Sequence, residues 1–555
     1  MVDDCKFYLF FILKSQLFIK VSNLNNLNFP ISCLVENYAV LYADQKAMSV
    51  VSPTGQSATL TFKEINDLAN RIASFLQNTM RLVQGDVVAL KMYNHLHYPA
   101  FALACWKIGL VITNINPLYT VRELTHQLKD SQAKVLVTTS SLLDTFNKAI
   151  LNHQELSKLD IILTNMDDFF EQPIHISDQI SCMQNEQGNQ VYSFKEILSS
   201  NNDNYVENFF EVALYQYTGG TTGVSKAAIL THSNINHAVD ALINHFTSNN
   251  IIFEEQDQTI TAVPLYHILG FCVAMLTFLK AKVHNVLIPV ARPLSNLKYA
   301  FDQFDISWMI GVETLFAGLL YEEWFINGPK KIKCALSGGT AMRSATYEKW
   351  IEKISPMVEG YGMTEAAGTI TLQPLSGNRP LNSVGKPLQG MEVRIVNENS
   401  ESMKTNEIGE ILIRGPQVMQ GYLNKPEENA FAFIDGWLCT GDIGKLDNEG
   451  YIYIMDRKKD MILVSGFNVF PNEIEGVLSC HKNVIEVAVV GKVDDKTGEA
   501  IHAYIVLSKN ITKEELTQYC RENLTAYKVP KHFHIVNELP KNTVGKVLRF
   551  ELKND

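Results

Sequence analysis

The sequence predicts an α/β protein: a large N-terminal domain on mostly parallel βαβ sheets with a β-rich subdomain, closed by a small α+β C-terminal domain. Three observations carry this. From about Cys33 to Ser337, short apolar runs alternate with amphipathic helical stretches, the pattern of βαβ units. After Gly390 the runs shorten and alternate in character, as antiparallel strands do. Beyond Asp456-Arg457-Lys458-Lys459-Asp460, helices and strands alternate again over about a hundred residues. A chain of 555 residues exceeds one hydrophobic core, so at least two domains are expected. The division read here is an apolar leader over 1–28, a large domain over 29–455 and a C-terminal domain over 456–555.

Hydrophobic content of 46% and charged content of 19% describe an ordinary globular protein. A net charge of −11 argues against general nucleic-acid binding. Nine cysteines are scattered with no CxxC pair, which fits reduced thiols in a cytoplasmic setting. In the leader, Phe7 to Leu13 is apolar, Lys14 interrupts, and Leu17 to Ile19 resumes. That is short of the roughly 20 residues of a membrane span. Asp3 and Asp4 do not suit a signal peptide. An interfacial anchor and a poorly ordered leader are the two readings left.

Thr61-Phe62-Lys63-Glu64 opens a helix expected to reach Met80, and the strand Val87 to Met92 follows Gly85-Asp86. A helix from Tyr98 to Ile108, a strand from Leu110 to Ile115, a helix at Leu124 to Leu128 and a strand at Ala133 to Thr138 continue the alternation. Asn165 to Asp203 is polar and aperiodic and reads as an excursion. The strand Val212 to Tyr217 leads into a glycine-rich loop, after which Ser233 is the expected cap of the next helix. Strands near Thr259 to Val263, Val283 to Ile288, Ile306 to Gly311 and Lys333 to Ser337 complete the large domain's parallel set. Glu392 to Val396, Glu410 to Ile413 and Gly450 to Met455 are the antiparallel candidates. In the C-terminal part, Thr512-Lys513-Glu514-Glu515 is a capping box for a helix to Leu524.

The loop is Tyr217-Thr218-Gly219-Gly220-Thr221-Thr222-Gly223-Val224-Ser225-Lys226. Glycines let backbone amides approach an anion, and the lysine adds a mobile positive charge, a combination suited to polyphosphate. It is not a Walker loop, because Ser225 precedes Lys226 and Ala227 follows it. Further candidates stand at strand ends or turns: Pro264-Leu265-Tyr266-His267, Ser337-Gly338-Gly339-Thr340, Gly360-Tyr361-Gly362-Met363-Thr364-Glu365 and Thr440-Gly441-Asp442. Lys541 to Lys546 forms a basic loop near the end of the chain. Each alone is more often a turn, an Asx motif or a solvated tail.

Their joint order resembles that of the AMP-forming adenylating enzymes. The runs Asp456 to Val469, Asn116 to Thr120, Gly415 to Met419 and Leu524 to Lys531 resemble bacterial long-chain fatty-acid–CoA ligases, over about Phe29 to Leu552. The resemblance implies ATP, Mg²⁺ and coenzyme A as cofactors or co-substrates, with Thr218 to Lys226 around the β- and γ-phosphates. It implies Thr218 and Glu365 on the metal, and Gly339, Gly360 and Tyr361 at the adenine. Thr364 would meet the α-phosphate, and Asp442 with Arg457 the ribose, Lys459 completing the nucleotide set. Lys546 would bridge the fatty carboxylate and α-phosphate. Asp456 would be the hinge of a mobile C-terminal lid, Ser465-Gly466-Phe467 would line a pantetheine channel, and His267 would stand at the acyl mouth. Expected partners are a long-chain fatty acid and a membrane met peripherally on its inner face, with a homodimer admitted and nucleic acid excluded.

Three rivals remain. A medium-chain or aryl acid–CoA ligase would share every motif. Amino-acid adenylation would need an acidic residue where Pro-Leu-Tyr-His stands, and Phe304-Asp305-Ile306-Ser307 is misplaced for it. A non-catalytic nucleotide- or acyl-binding protein would have to lack Lys546 or Glu365, and both are present. Ala227 and Cys439 stand where the family usually has glycine and many relatives have histidine.

Overall fold

The computed structural model describes residues 29–170, 190–200, 202–218, 225–328, 331–375, 380, 382–494, 496–542 and 545–554. Two large sheets carry the N-terminal part. The first has seven strands in the order Val191–Ser193, Asp160–Thr164, Val135–Thr139, Val87–Lys91, Val111–Asn114, Val212–Thr218 and Lys226–Thr231. All neighbours are parallel except the last two, an antiparallel pair that flanks the glycine loop. The second has nine strands, parallel from Lys46–Val51 to Met357–Met363 and antiparallel at both edges. Val87–Lys91, Val111–Asn114 and Val135–Thr139 are buried along their length, as strands covered on both faces must be.

Local signals explain many helix starts. Thr61 with Glu64 and Thr512 with Glu515 form the expected capping boxes. The first of these helices, Phe62–Ser74, widens into a π-helical turn over Phe75–Thr79. Two expectations need correction. The cap of His232–Ser248 is Thr231, not Ser233: Thr231 Oγ1 accepts from Asn234 N, and Asn234 Oδ1 accepts from Thr231 N. The antiparallel strand runs through Thr231, so the helix begins two residues earlier than Ser233 would place it. The polar stretch after Asn165 is also not wholly an excursion. Val191–Ser193 pairs with Asp160–Thr164 as an edge strand, and Phe194–Ser199 is a capped helix whose Phe194 and Ile197 are buried. Three residues of strand are too few for periodicity to show.

A third sheet is antiparallel, built from Glu392–Val396, Gly409–Arg414, Phe433–Ile434, Trp437–Leu446 and Ile452–Arg457. The fourth holds the hairpin Ile462–Val464/Phe467–Val469, the long pair Val484–Asp494/Gly498–Leu507, and His532–Ile535. One face of it packs on the helices Pro471–Ser479 and Lys513–Asn523, and the other on Arg549–Asn554 through Leu552. Among the described residues, no helix is long and apolar enough to cross a membrane. The Phe7 to Leu13 run lies outside them.

Candidate active site

The strands Val212–Thr218 and Lys226–Thr231 hold the ends of the glycine loop side by side, Thr218 opposite Lys226. Gly219 to Val224 lie outside the described residues; their flanks do not. His126 Nε2 donates to Ser225 O at 2.9 Å, and the Tyr217 hydroxyl donates to Asp130 Oδ2 at 2.7 Å. Tyr217 is buried, so it ties the base of the loop to a neighbouring helix and does not offer its hydroxyl to a phosphate.

Both strands pack on the turn Thr364–Ala366, which brings Glu365 to the loop. Glu365 is 9% exposed, and its Oε1 accepts from the Tyr422 hydroxyl at 2.8 Å. Lys226 Nζ lies 4.4 Å from the centre of the same tyrosine ring. Tyr422 therefore links the loop lysine and the acidic residue, a role the sequence reading missed. Its position is set by Asn429, whose Oδ1 accepts from Tyr422 N and whose Nδ2 donates to Tyr422 O. No pattern near residue 422 announces this, because Glu365 is 57 positions away.

Glycines shape the neighbouring strand. A Cβ on Gly362 would stand 1.8 Å from Gly368 O, so the pairing of Met357–Met363 with Gly368–Leu372 requires glycine there. Beside it, Ser337 and Gly338 end a parallel strand and its following turn. Ser337 Oγ and Thr340 Oγ1 are buried without a protein partner among the described residues. Gly339 (φ +80°) turns the chain here, and a Cβ on Gly338 would lie 3.6 Å from Gly360 O. Unsatisfied buried hydroxyls are costly unless a ligand meets them. Their place at the strand ends is where open α/β sheets bind ligands.

Asp442 is 3% exposed. Its Oδ2 accepts from the Tyr361 hydroxyl at 2.5 Å, and its Oδ1 pairs with Arg457 Nε at 2.8 Å. Each carboxylate oxygen can accept once more, which suits a ribose diol. Burial, then the charge of Asp442, drives the Tyr361 phenol well above its usual range, so it stays a donor. Lys459 is pushed down from the usual lysine range, chiefly by burial.

The C-terminal domain closes over this group. Lys546 is lowered to about 8, first by burial and then by Arg457, and Asp442 and Lys459 also act on it. Lys546 is half-buried, which is not the setting of a solvated tail. Its charge reaches His267, which burial lowers to about 4. His267 Nδ1 accepts from Leu269 N at 3.3 Å at the start of the π-helical segment Leu269–Leu276, so its other ring nitrogen carries the proton. Asp456 is completely buried, accepts from Arg457 N and Asn472 N at 2.8 Å each, and is raised to about 6 by burial. Ser465 (φ 51°) and Gly466 (φ 83°) are the two central residues of the hairpin turn joining Ile462–Val464 to Phe467–Val469. Positive φ at both is what a type I′ turn demands. This tip is exposed, a Cβ on Gly466 would meet nothing within 4 Å, and Phe467 stacks on Tyr527 at 4.8 Å. The structure thus gathers Lys546, Asp442, Arg457, Lys459, Tyr361 and His267, and leaves Ser465 and Gly466 facing solvent.

The residues fit a nucleotide and a hard cation. Among the described residues no group of three metal-ligating side chains exists, so Mg²⁺ here would draw most of its oxygen ligands from phosphates and water. Asp305 pairs with Lys331 at 2.8 Å on the surface, far from a role in amine recognition.

Two large α/β sheets, an antiparallel subdomain and a small α+β C-terminal domain define the fold of the adenylating enzymes. The chain belongs to the AMP-binding enzyme family: that family's model matches residues 35–423, and the model of its C-terminal domain matches 473–546. It is 36% identical to a long-chain-fatty-acid–CoA ligase of Yersinia pestis, over 94% of this chain and 93% of that one. It is 31% identical to the 2-succinylbenzoate–CoA ligase of Bacillus subtilis, over 94% and 95%. Among solved structures, o-succinylbenzoate coenzyme A synthetase (MenE) of Bacillus subtilis with ATP and magnesium superposes with a TM-score of 0.78 at 29% identity, covering 95% of this chain and 99% of that one. ATP-bound MatB of Rhodopseudomonas palustris gives 0.79 at 26%, covering 93% and 98%.

Proposed function

We propose that the protein is an ATP-dependent long-chain fatty-acid–CoA ligase that works through an acyl-adenylate. The coarser statement, an AMP-forming acyl–CoA ligase, rests on the family and on relatives matched along nearly their whole length. The observation that carries the chemistry is the buried Asp442, joined to Tyr361 and Arg457, with half-buried Lys546 within range of the Asp442 and Arg457 charges.

In the first step a carboxylate oxygen attacks the α-phosphorus of ATP, and the bond to pyrophosphate breaks. Asp442 and Arg457 hold the ribose, Tyr361 and the glycine slot hold the base, and Lys226 meets the phosphates. Lys546 stabilises charge growing on the α-phosphate oxygens. Glu365 and Thr218 would hold Mg²⁺ together with the phosphates, and the ion would supply neutralisation of charge on the leaving pyrophosphate. In the second step the thiol sulfur of coenzyme A attacks the acyl carbon and AMP leaves with the electron pair, the thiol proton passing to solvent. No side-chain nucleophile is required, since positioning and charge neutralisation suffice.

The second step needs the lid to turn at Asp456, so that the Ser465–Gly466 tip replaces Lys546 at the site. Gly466→Asn tests this, because asparagine tolerates the left-handed region and keeps the turn. Pyrophosphate exchange should stay within about twofold, while thioester formation falls by roughly tenfold as the side chain enters the pantetheine passage. Equal loss of both would reduce Gly466 to a turn-forming glycine.

Chain length is tested by coenzyme A thioester formation on a ladder of acids. Each buried methylene contributes about 0.8 kcal/mol, so a deep acyl site separates chain lengths by orders of magnitude. Palmitate should far exceed acetate in kcat/KM. Equal efficiency on both would remove the long-chain reading, and a maximum on aromatic acids would favour the second reading supported by the 2-succinylbenzoate relative.

A further inference from the structure

Glu313 and Arg343 form an ion pair that the chemistry above does not use. Glu313 opens the short helix Glu313–Leu319 directly after the strand Trp308–Gly311 and is 6% exposed. A carboxylate this buried needs partners. Its Oε1 accepts from Arg343 Nε at 2.5 Å and from Thr346 Oγ1 at 2.9 Å. The guanidinium is thereby aimed, and its Nη1 donates to the backbone carbonyl of Ile485 at 2.9 Å. Ile485 lies on the strand Val484–Asp494 of the C-terminal domain, so this bond crosses from body to lid.

The residues on either side of Glu313 make matching contacts. A Cβ on Gly339 would lie 3.7 Å from Val312, which places Val312 at the nucleotide slot. A Cβ on Gly545 would stand 2.8 Å from Thr314 Oγ1, which places Thr314 against the loop that carries Lys546. Three consecutive residues therefore touch the slot, the charged clasp and the lysine loop.

We propose that Glu313 and Arg343 are positioning residues: a clasp that holds the lid in the orientation placing Lys546 over the reacting carboxylate and α-phosphate. This rests on the ligase reading given above. The clasp acts in the first step only, because a rotated lid carries the Ile485 carbonyl away from Arg343. A hydrogen bond with an ionised donor is stronger than a neutral one, and a backbone carbonyl accepts it whatever residue stands at 485. Arg343 is otherwise half exposed and, among the described residues, its hydrogen bonding to the lid is the one bond to Ile485, so the clasp can open within a catalytic cycle.

The test uses the full chain and reads the two half-reactions separately: fatty-acid-dependent pyrophosphate exchange, and thioester formation from synthetic acyl-adenylate with coenzyme A. Arg343→Ala should lower exchange by roughly tenfold, the scale of one lost charge-assisted bond, and leave the second half-reaction within about twofold. Glu313→Gln should behave likewise, since it releases the guanidinium. Arg343→Lys, which keeps a cation between Glu313 and the carbonyl, should recover most of the loss. Thioester formation from acyl-adenylate serves as the folding control for every variant. Wild-type exchange in Arg343→Ala overturns the clasp, and so does equal loss of both half-reactions with no rescue by lysine. In either case the ligase reading stands if wild-type protein exchanges pyrophosphate and Lys546→Ala does not. Absence of exchange in the wild type would overturn that reading and the clasp with it.

Discussion

Lys546→Ala is expected to lose about 10²–10³-fold of fatty-acid-dependent pyrophosphate exchange while still making thioester from synthetic acyl-adenylate and coenzyme A. Negative charge grows on the α-phosphate oxygens as the carboxylate attacks, and a preorganised cation aimed there stabilises the transition state most. Lys546 has the required setting: its backbone N donates to Asn542 Oδ1 at 2.8 Å, and its half-buried amine lies within range of the Asp442 and Arg457 charges. The pH profile gives a second readout. Burial and Arg457 push the amine down to about 8, so in the free enzyme it is charged below that pH and neutral above it. The kcat/KM of the adenylation step should therefore fall as pH rises through about 8, and Lys546→Ala should lack that alkaline limb. Wild-type exchange in the variant would take the proposed first step down with it.

Glu365→Gln is expected to lower adenylation by roughly 10²-fold and to raise the Mg²⁺ concentration needed for half-maximal rate. The amide keeps the shape of the side chain, and its oxygen can still accept from the Tyr422 hydroxyl, so the fold should hold. What is lost is a negative charge beside Lys226 and the phosphate loop, and with it a hard ligand for the cation. Tyr422→Phe separates the two contributions. It leaves the carboxylate charge and the ring under Lys226 but removes the hydroxyl that orients Glu365. It should cost about tenfold, the loss of one hydrogen bond to a charged group. An unchanged Mg²⁺ requirement in Glu365→Gln would remove this residue from the metal site.

Much of this protein was legible in the chain itself. Helix starts at Thr61 and Thr512, the glycine loop and the run of parallel strands all follow from residues within a few positions of one another. Such signals arise because capping, backbone freedom and apolar periodicity are local interactions. The candidate site was legible as a set of motifs, of which Tyr361, Asp442 and Arg457 are in direct contact. Their meeting, however, spans 81 positions between Tyr361 and Asp442 alone, and no local rule dictates it.

Tertiary structure alone decided the rest. It commits Tyr217 to Asp130, enlists Tyr422 as the link between Lys226 and Glu365, and ties Glu313 to the lid through Arg343. It also moves a helix cap from Ser233 to Thr231, because the strand Lys226–Thr231 is fixed by its partner across the loop. The physical reason is the same in each case. Residue type limits which bonds a side chain can make, while burial and long-range packing determine which of those bonds is worth more than contact with water.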